Sequence, residues 1–144
     1  MAAASPFLLA LALLSCSSAV WSAETDSDVV LKNALSENPF FRSMAQRRIR
    51  DMTPREKGVL VSQLADLSSD SPESSRIAAL RALGEMRGGA DEAFWTVLRV
   101  AEESEGDLQA AAIGAGIAIR PTARELAVVI AAVLGDEESH ARRA

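Results

Sequence analysis

This chain has few of the side chains that most often carry chemistry. Its 144 residues hold one histidine, one cysteine and no tyrosine. A zinc site needs several nitrogen or sulfur ligands converging, and a nucleophilic pair needs a base beside its thiol. His140 stands near the end of the sequence and Cys16 near its start, so neither has a second residue of its own kind to work with. An internal disulfide is excluded by the same count. Aromatic residues are only 4% of a chain that is 49% hydrophobic, so alanine and leucine must supply most of the burial. Both are strong helix formers. The few prolines and glycines fall mostly where helices would begin or end, and the balance predicts an all-α protein. Positive charge is also short: the net charge of −5 argues against a general nucleic-acid binder, which is usually basic.

The first 23 residues carry no charged side chain. Phe7 to Leu14 is apolar, and Ser15 to Ala19 is small and mostly polar. An apolar core of this length followed by small residues reads as a secretory signal peptide, and it is too short to span a membrane. Ser17-Ser18-Ala19 offers small residues at both recognition positions. The expected cleavage therefore follows Ala19, with Ala23 as the outer limit. The protein is expected to be exported, periplasmic or secreted. Leu13-Leu14-Ser15-Cys16 also resembles the lipobox of bacterial lipoproteins, so an alternative has Cys16 acylated and holding the chain to a membrane. Residues 20–38 are expected to be a linker and a capping helix, with Val29, Val30, Leu31, Ala34 and Leu35 on one face.

The body of the chain repeats. Arg42, Arg76, Gln109 and Arg142 stand 34, 33 and 33 residues apart, and Ala45, Ala79 and Ala112 follow three residues behind the first three. Self-similarity at this period is the mark of stacked helical repeats. Thr53-Pro54-Arg55-Glu56 is a capping box with proline at the first helical position. Ser71-Pro72-Glu73 and Pro121-Thr122 give further starts, and Gly88-Gly89 and Gly135 give stops. These signals predict helices at about 39–51, 54–68, 72–86, 91–103, 107–119 and 122–134, taken as three successive antiparallel pairs with short turns. Ile77, Leu80, Leu83 and Met86 share one face of the third helix. Phe94, Leu98 and Ala101 share one face of the fourth. A single pair cannot bury such faces, whereas a stack can.

Over residues 39–144 the sequence resembles HEAT repeats, in particular the short bacterial HEAT-like type also found in phycobilisome lyases. The resemblance is carried by Asp70 through Arg76-Ile77-Ala78-Ala79-Leu80-Arg81-Ala82-Leu83-Gly84, and again by Asp107-Leu108-Gln109-Ala110-Ala111-Ala112. It implies an α-solenoid, a HEAT-like superhelix, acting as a scaffold that holds a protein partner without catalysis and without a cofactor. It also implies that Arg42, Arg76 and Arg142 form a stacked ladder with acidic residues of neighbouring repeats. The alternative functions are a lyase or isomerase acting on a tetrapyrrole-protein, and the N-terminal portion of a larger exported repeat protein.

Charge is uneven along the body. Residues 42–57 hold six basic and two acidic side chains, and residues 102–107 hold four acidic and none basic. Arg47, Arg48 and Arg55 are the candidate partner-binding residues, beside Arg50 and Lys57. Only Phe40 and Phe41 lie near them, so a single-stranded nucleic-acid groove of interleaved aromatics is not indicated. The plain reading of the patch is a solvated helix face; as a docking surface it fits an acidic protein or anionic lipid better. The acidic run lacks the alternating ligands and central glycine of a calcium loop, and Asp107 reads as a helix N-cap. Gly114-Ala115-Gly116 lies inside a helical pattern rather than after a strand, so it reads as close helix packing and not as a phosphate loop.

Overall fold

The computed structural model describes residues 26–141. The expected signal peptide, Cys16 and Arg142 lie outside these residues. Among the described residues the chain is all helical, with no strand. Seven α-helices follow in order: α1 (Asp26–Leu35), α2 (Pro39–Asp51), α3 (Pro54–Ser69), α4 (Glu73–Met86), α5 (Phe94–Glu103), α6 (Gly106–Ile119) and α7 (Arg124–Ala141), with a 3-10 segment at Arg87–Ala93 between α4 and α5.

The starts of α2 and α3 show why local chemistry sets these bounds. Asn38 caps α2 by accepting from the Phe40 amide at 2.9 Å. At α3 the capping box is complete: Thr53 accepts from the Glu56 amide at 3.3 Å, and the Thr53 amide donates to the Glu56 carboxylate at 2.7 Å. Each bond satisfies a donor with no partner inside the helix. Other expected caps are absent. Pro72, not Ser71, is the N-cap of α4 and makes no side-chain bond. Glu105 takes the N-cap of α6, so Asp107 sits in the first turn instead. The last helix starts at Arg124, two residues after Thr122, and runs through Gly135 without stopping.

Helix α1 is part of the core, with Val30 and Ala34 buried, and packs on α2, α3 and α4. Leu60, Leu64, Leu80, Leu83, Phe94 and Val97 are fully buried at the centre. Leu98 is buried as well. Ala45, Ala79 and Ala112, which the sequence spacing singles out, each have no exposed surface.

The closest pairs are α3 with α4 and α5 with α6, together with α4 against α6. These straddle the boundaries of the expected pairs. The cause is the segment between α4 and α5. Asp91 and its neighbours form a 3-10 turn that packs against α3 and α6, so it acts as a wedge and α5 starts at Phe94 rather than near 91. Links of three and two residues join α3 to α4 and α5 to α6.

Candidate functional site

Two glycines set the spacing of the helices that frame the site. A Cβ on Gly84 would lie 3.3 Å from the Ala115 Cα, so α4 and α6 meet backbone to backbone. A Cβ on Gly116 would lie 3.1 Å from Leu126 Cδ1, so here α6 meets a side chain of α7 rather than its backbone. Gly114 differs, because nothing lies within 4 Å of its missing Cβ. The close-packing role therefore belongs to Gly116, and Gly114 opens onto free space.

Helix α2 does not approach α4 in the same way. Long side chains bridge the gap: Gln46 Nε2 donates to Glu85 at 3.0 Å, and Arg42 lies 3.5 Å from the same carboxylate. The result is a groove of about 760 Å³ running over α4, with α2 on one side and α6 on the other. Its floor is apolar and small: Ile77, Leu80, Gly84, Ala111, Gly114, Ala115 and Ala118. Its rim carries Gln46, Arg50, Arg81, Glu85 and Arg87. A second hollow of about 270 Å³ shares Gln46, Arg50 and Glu85 and extends toward Lys57 and Gly89.

The charges of the groove are unbalanced. Glu85 is its one carboxylate, already engaged by Arg42 and Gln46. No carboxylate among the described residues pairs with Arg50 or Arg87. Arg81 donates once, to the Ser36 carbonyl at 3.2 Å, and its Nε is buried without a partner. Arg87 stands out in a second respect. It is the one non-glycine residue with positive φ among the described residues, at φ 51° and ψ −133°.

The residues singled out in sequence do not come together. Arg47, Arg48 and Arg55 are exposed, and none of them lines the groove. Neighbouring positions on a helix point about 100° apart, so Arg47 and Arg48 cannot share a direction. Arg48 turns toward α1 and pairs with Asp26, in a small hollow that also holds Asp51 and Glu56. This pairing raises the Arg48 guanidinium above its ordinary value, the hydrogen bond that it donates to Asp26 being the main cause. Arg47 lies in helical register with Phe40 and Met44, both exposed, on the outer side of α2. Of the basic residues of α2, Arg50 is the one that lines the groove.

The expected arginine ladder takes a different form. Arg76 Nε donates to the Ser68 carbonyl at 2.8 Å, and Gln109 Nε2 to the Ala101 carbonyl at 3.0 Å. Arg42 donates to the Ser36 carbonyl at 3.2 Å and to that of Glu37 at 2.6 Å. Only Arg42 adds an acidic partner, Glu85 on α4. The marker residues close helix C-termini, where carbonyls lack intrahelical donors. One further constellation ties the wedge to α6. Arg120 grips Asp91 with two bonds of 2.5 and 2.6 Å and lies 4.6 Å from the centre of the buried Phe94 ring. The Arg120 guanidinium holds the Asp91 carboxyl below its usual value.

Among the described residues there is no cluster of three metal-binding side chains, and no helix is long and apolar enough to cross a membrane. Comparison with protein-family models, curated proteins and solved structures gives no match.

Proposed function

We propose that the chain is an exported helical-repeat scaffold of the HEAT-like kind, which binds a protein partner along an extended surface and performs no covalent chemistry. The groove over α2, α4 and α6 carries this reading. It is wide, apolar at its base and charged at its rim, which is the make-up of a surface that holds a partner segment. The buried Ala45, Ala79 and Ala112 and the three carbonyl-closing markers support a stacked repeat. The binding face would then lie on α2, α4 and α6, the helices that line the groove.

Filling the groove tests the reading. Gly114→Trp places a large side chain where no atom now stands within 4 Å. The partner recovered from the native envelope with the wild-type protein should be lost with this variant, at unchanged helicity. Recovery at full strength would move the site elsewhere. Turnover abolished by one Asp or Glu substitution would replace the scaffold with an enzyme. Export is tested separately by intact mass of the secreted product. A chain starting after Ala19 is expected, and one starting at a lipid-modified Cys16 would overturn that expectation.

A further inference from the structure

We propose that the groove takes an acidic helical segment of the partner, with carboxylates paired to Arg50, Arg81 and Arg87 and an apolar stripe laid on Ile77, Gly114 and Ala118. This rests on the scaffold reading above and adds the chemistry of the occupant.

Charge is the first argument. The chain as a whole is acidic, at −5, yet three guanidinium groups gather at one groove. The single acid there, Glu85, is held by Arg42 at 3.5 Å and Gln46 at 3.0 Å, so it repels an incoming carboxylate only weakly. Arg81 lines the groove and makes one hydrogen bond, to the Ser36 carbonyl at 3.2 Å, which leaves guanidinium donors over. A carboxylate meets such a donor with a charge-assisted bond.

Arg87 is the second argument. At φ 51° and ψ −133° a glycine would sit with less strain, and Gly88 is the very next residue. Such strain persists where the surroundings or a function hold it. The side chain it delivers lines the groove.

Shape is the third argument. Small residues on the floor let a helix backbone come near, as Gly84 lets α6 come near α4. The groove lies where α2 stands away from α4, between two helices of one face. A helix laid there fills a gap in a row of helices. Planar guanidinium forks grip carboxylates in pairs, and acids one turn apart on such a segment reach successive arginines.

The test is a display library of random amphipathic helices, panned on the full protein at low and at high salt. Sequences rich in Asp and Glu should be enriched at low salt and lost at high salt. A synthetic winner should bind about tenfold more weakly for each of Arg50→Gln and Arg87→Gln, the size of one charge-assisted contact. Its Glu-to-Gln analogue should lose a similar amount. Circular dichroism of both variants guards against misfolding. Neutral winners that ignore Arg50→Gln and Arg87→Gln but vanish with Gly114→Trp would overturn the acidic occupant and leave the scaffold standing. Winners indifferent to Gly114→Trp, or no winners, would remove both. If instead phosphatidylglycerol vesicles sediment the protein through Arg50 and Arg87 and no helix is enriched, the groove is a lipid site and the proposal fails.

Discussion

Arg76 and Gln109 stand 33 residues apart and make the same bond, each reaching back eight residues to a carbonyl in the last turn of the preceding helix. The job requires a donor on a long side chain, and charge is secondary. Arg76→Gln should therefore retain most of the stability in urea melts. Arg76→Leu should cost about 1–3 kcal/mol, because the Ser68 carbonyl loses its donor. Equal losses in the two variants would show that charge is what this position needs.

Three glycines should respond in different ways to alanine. Gly114→Ala meets nothing and gains helix propensity, so it should stabilise by about 0.5–1 kcal/mol. Gly84→Ala gains the same propensity but drives a Cβ to 3.3 Å from the Ala115 backbone, which cannot swing aside. It should come out destabilising. Gly116→Ala meets only the flexible end of Leu126 and should fall between them. For scale, Leu83→Ala should cost about 2–5 kcal/mol, as expected for a fully buried leucine. Thermal melts of the four variants give the order directly.

Much of this fold was legible because its signals are local. Thr53-Pro54-Arg55-Glu56 sets the start of α3 through bonds within four residues, and Ala45, Ala79 and Ala112, picked out by their spacing, are all buried. What escaped depends on contacts across the chain. The 3-10 wedge at Arg87–Ala93 decides which helices pack closest. Nothing in that stretch announces it beyond Gly88-Gly89, which reads simply as a stop. The groove was hidden for a similar reason. It exists because Gly84 draws α6 onto α4 while Gln46 and Arg42 bridge α2 at side-chain distance. A run of basic residues shows where charge is dense, but the helix turn sends Arg48 away from Arg47 and Arg50, and of the three only Arg50 lines the groove.

The strain at Arg87 makes a prediction of opposite signs. Arg87→Gly should remove roughly 1–3 kcal/mol of strain, offset by about 0.5–1 kcal/mol of added unfolded-state entropy. The melting temperature should rise. Partner binding should weaken, because the guanidinium is gone from the rim. A lower melting temperature would mean that Arg87 is stabilising where it stands.

Acid should loosen the molecule at two identified places. The hydrogen bonds from the Thr53 side chain and backbone hold Glu56 below the usual carboxylate value, and Arg120 does the same for Asp91. A carboxyl whose value is lowered in the folded state contributes stability that is complete above its ordinary value and is lost as pH falls through the folded value. The urea midpoint should thus be flat near neutrality and drop below about pH 4. Asp91→Asn should shrink that drop and lower the neutral midpoint slightly, since both partners are exposed and screened. An acid limb unchanged in Asp91→Asn would show that the Arg120 pair does not contribute.

The two basic surfaces can be set against each other in one experiment. Arg47, Arg48 and Arg55 crowd a short stretch of sequence, whereas Arg50 and Arg87 meet only in space, at the groove. Reversing the first three to Glu removes the Arg48–Asp26 pair and leaves every groove residue in place. Exposed pairs are worth little, so helicity and melting should barely change. Partner capture by this triple variant should stay near wild type, with a somewhat slower on-rate at low salt from the altered long-range field. Arg50→Glu with Arg87→Glu should abolish capture at the same ionic strength. The opposite outcome, loss in the triple variant and retention in the double, would place the partner on the outer side of α2. There Arg47 is in register with the exposed Phe40 and Met44, and the binding surface would be the one the sequence first suggested.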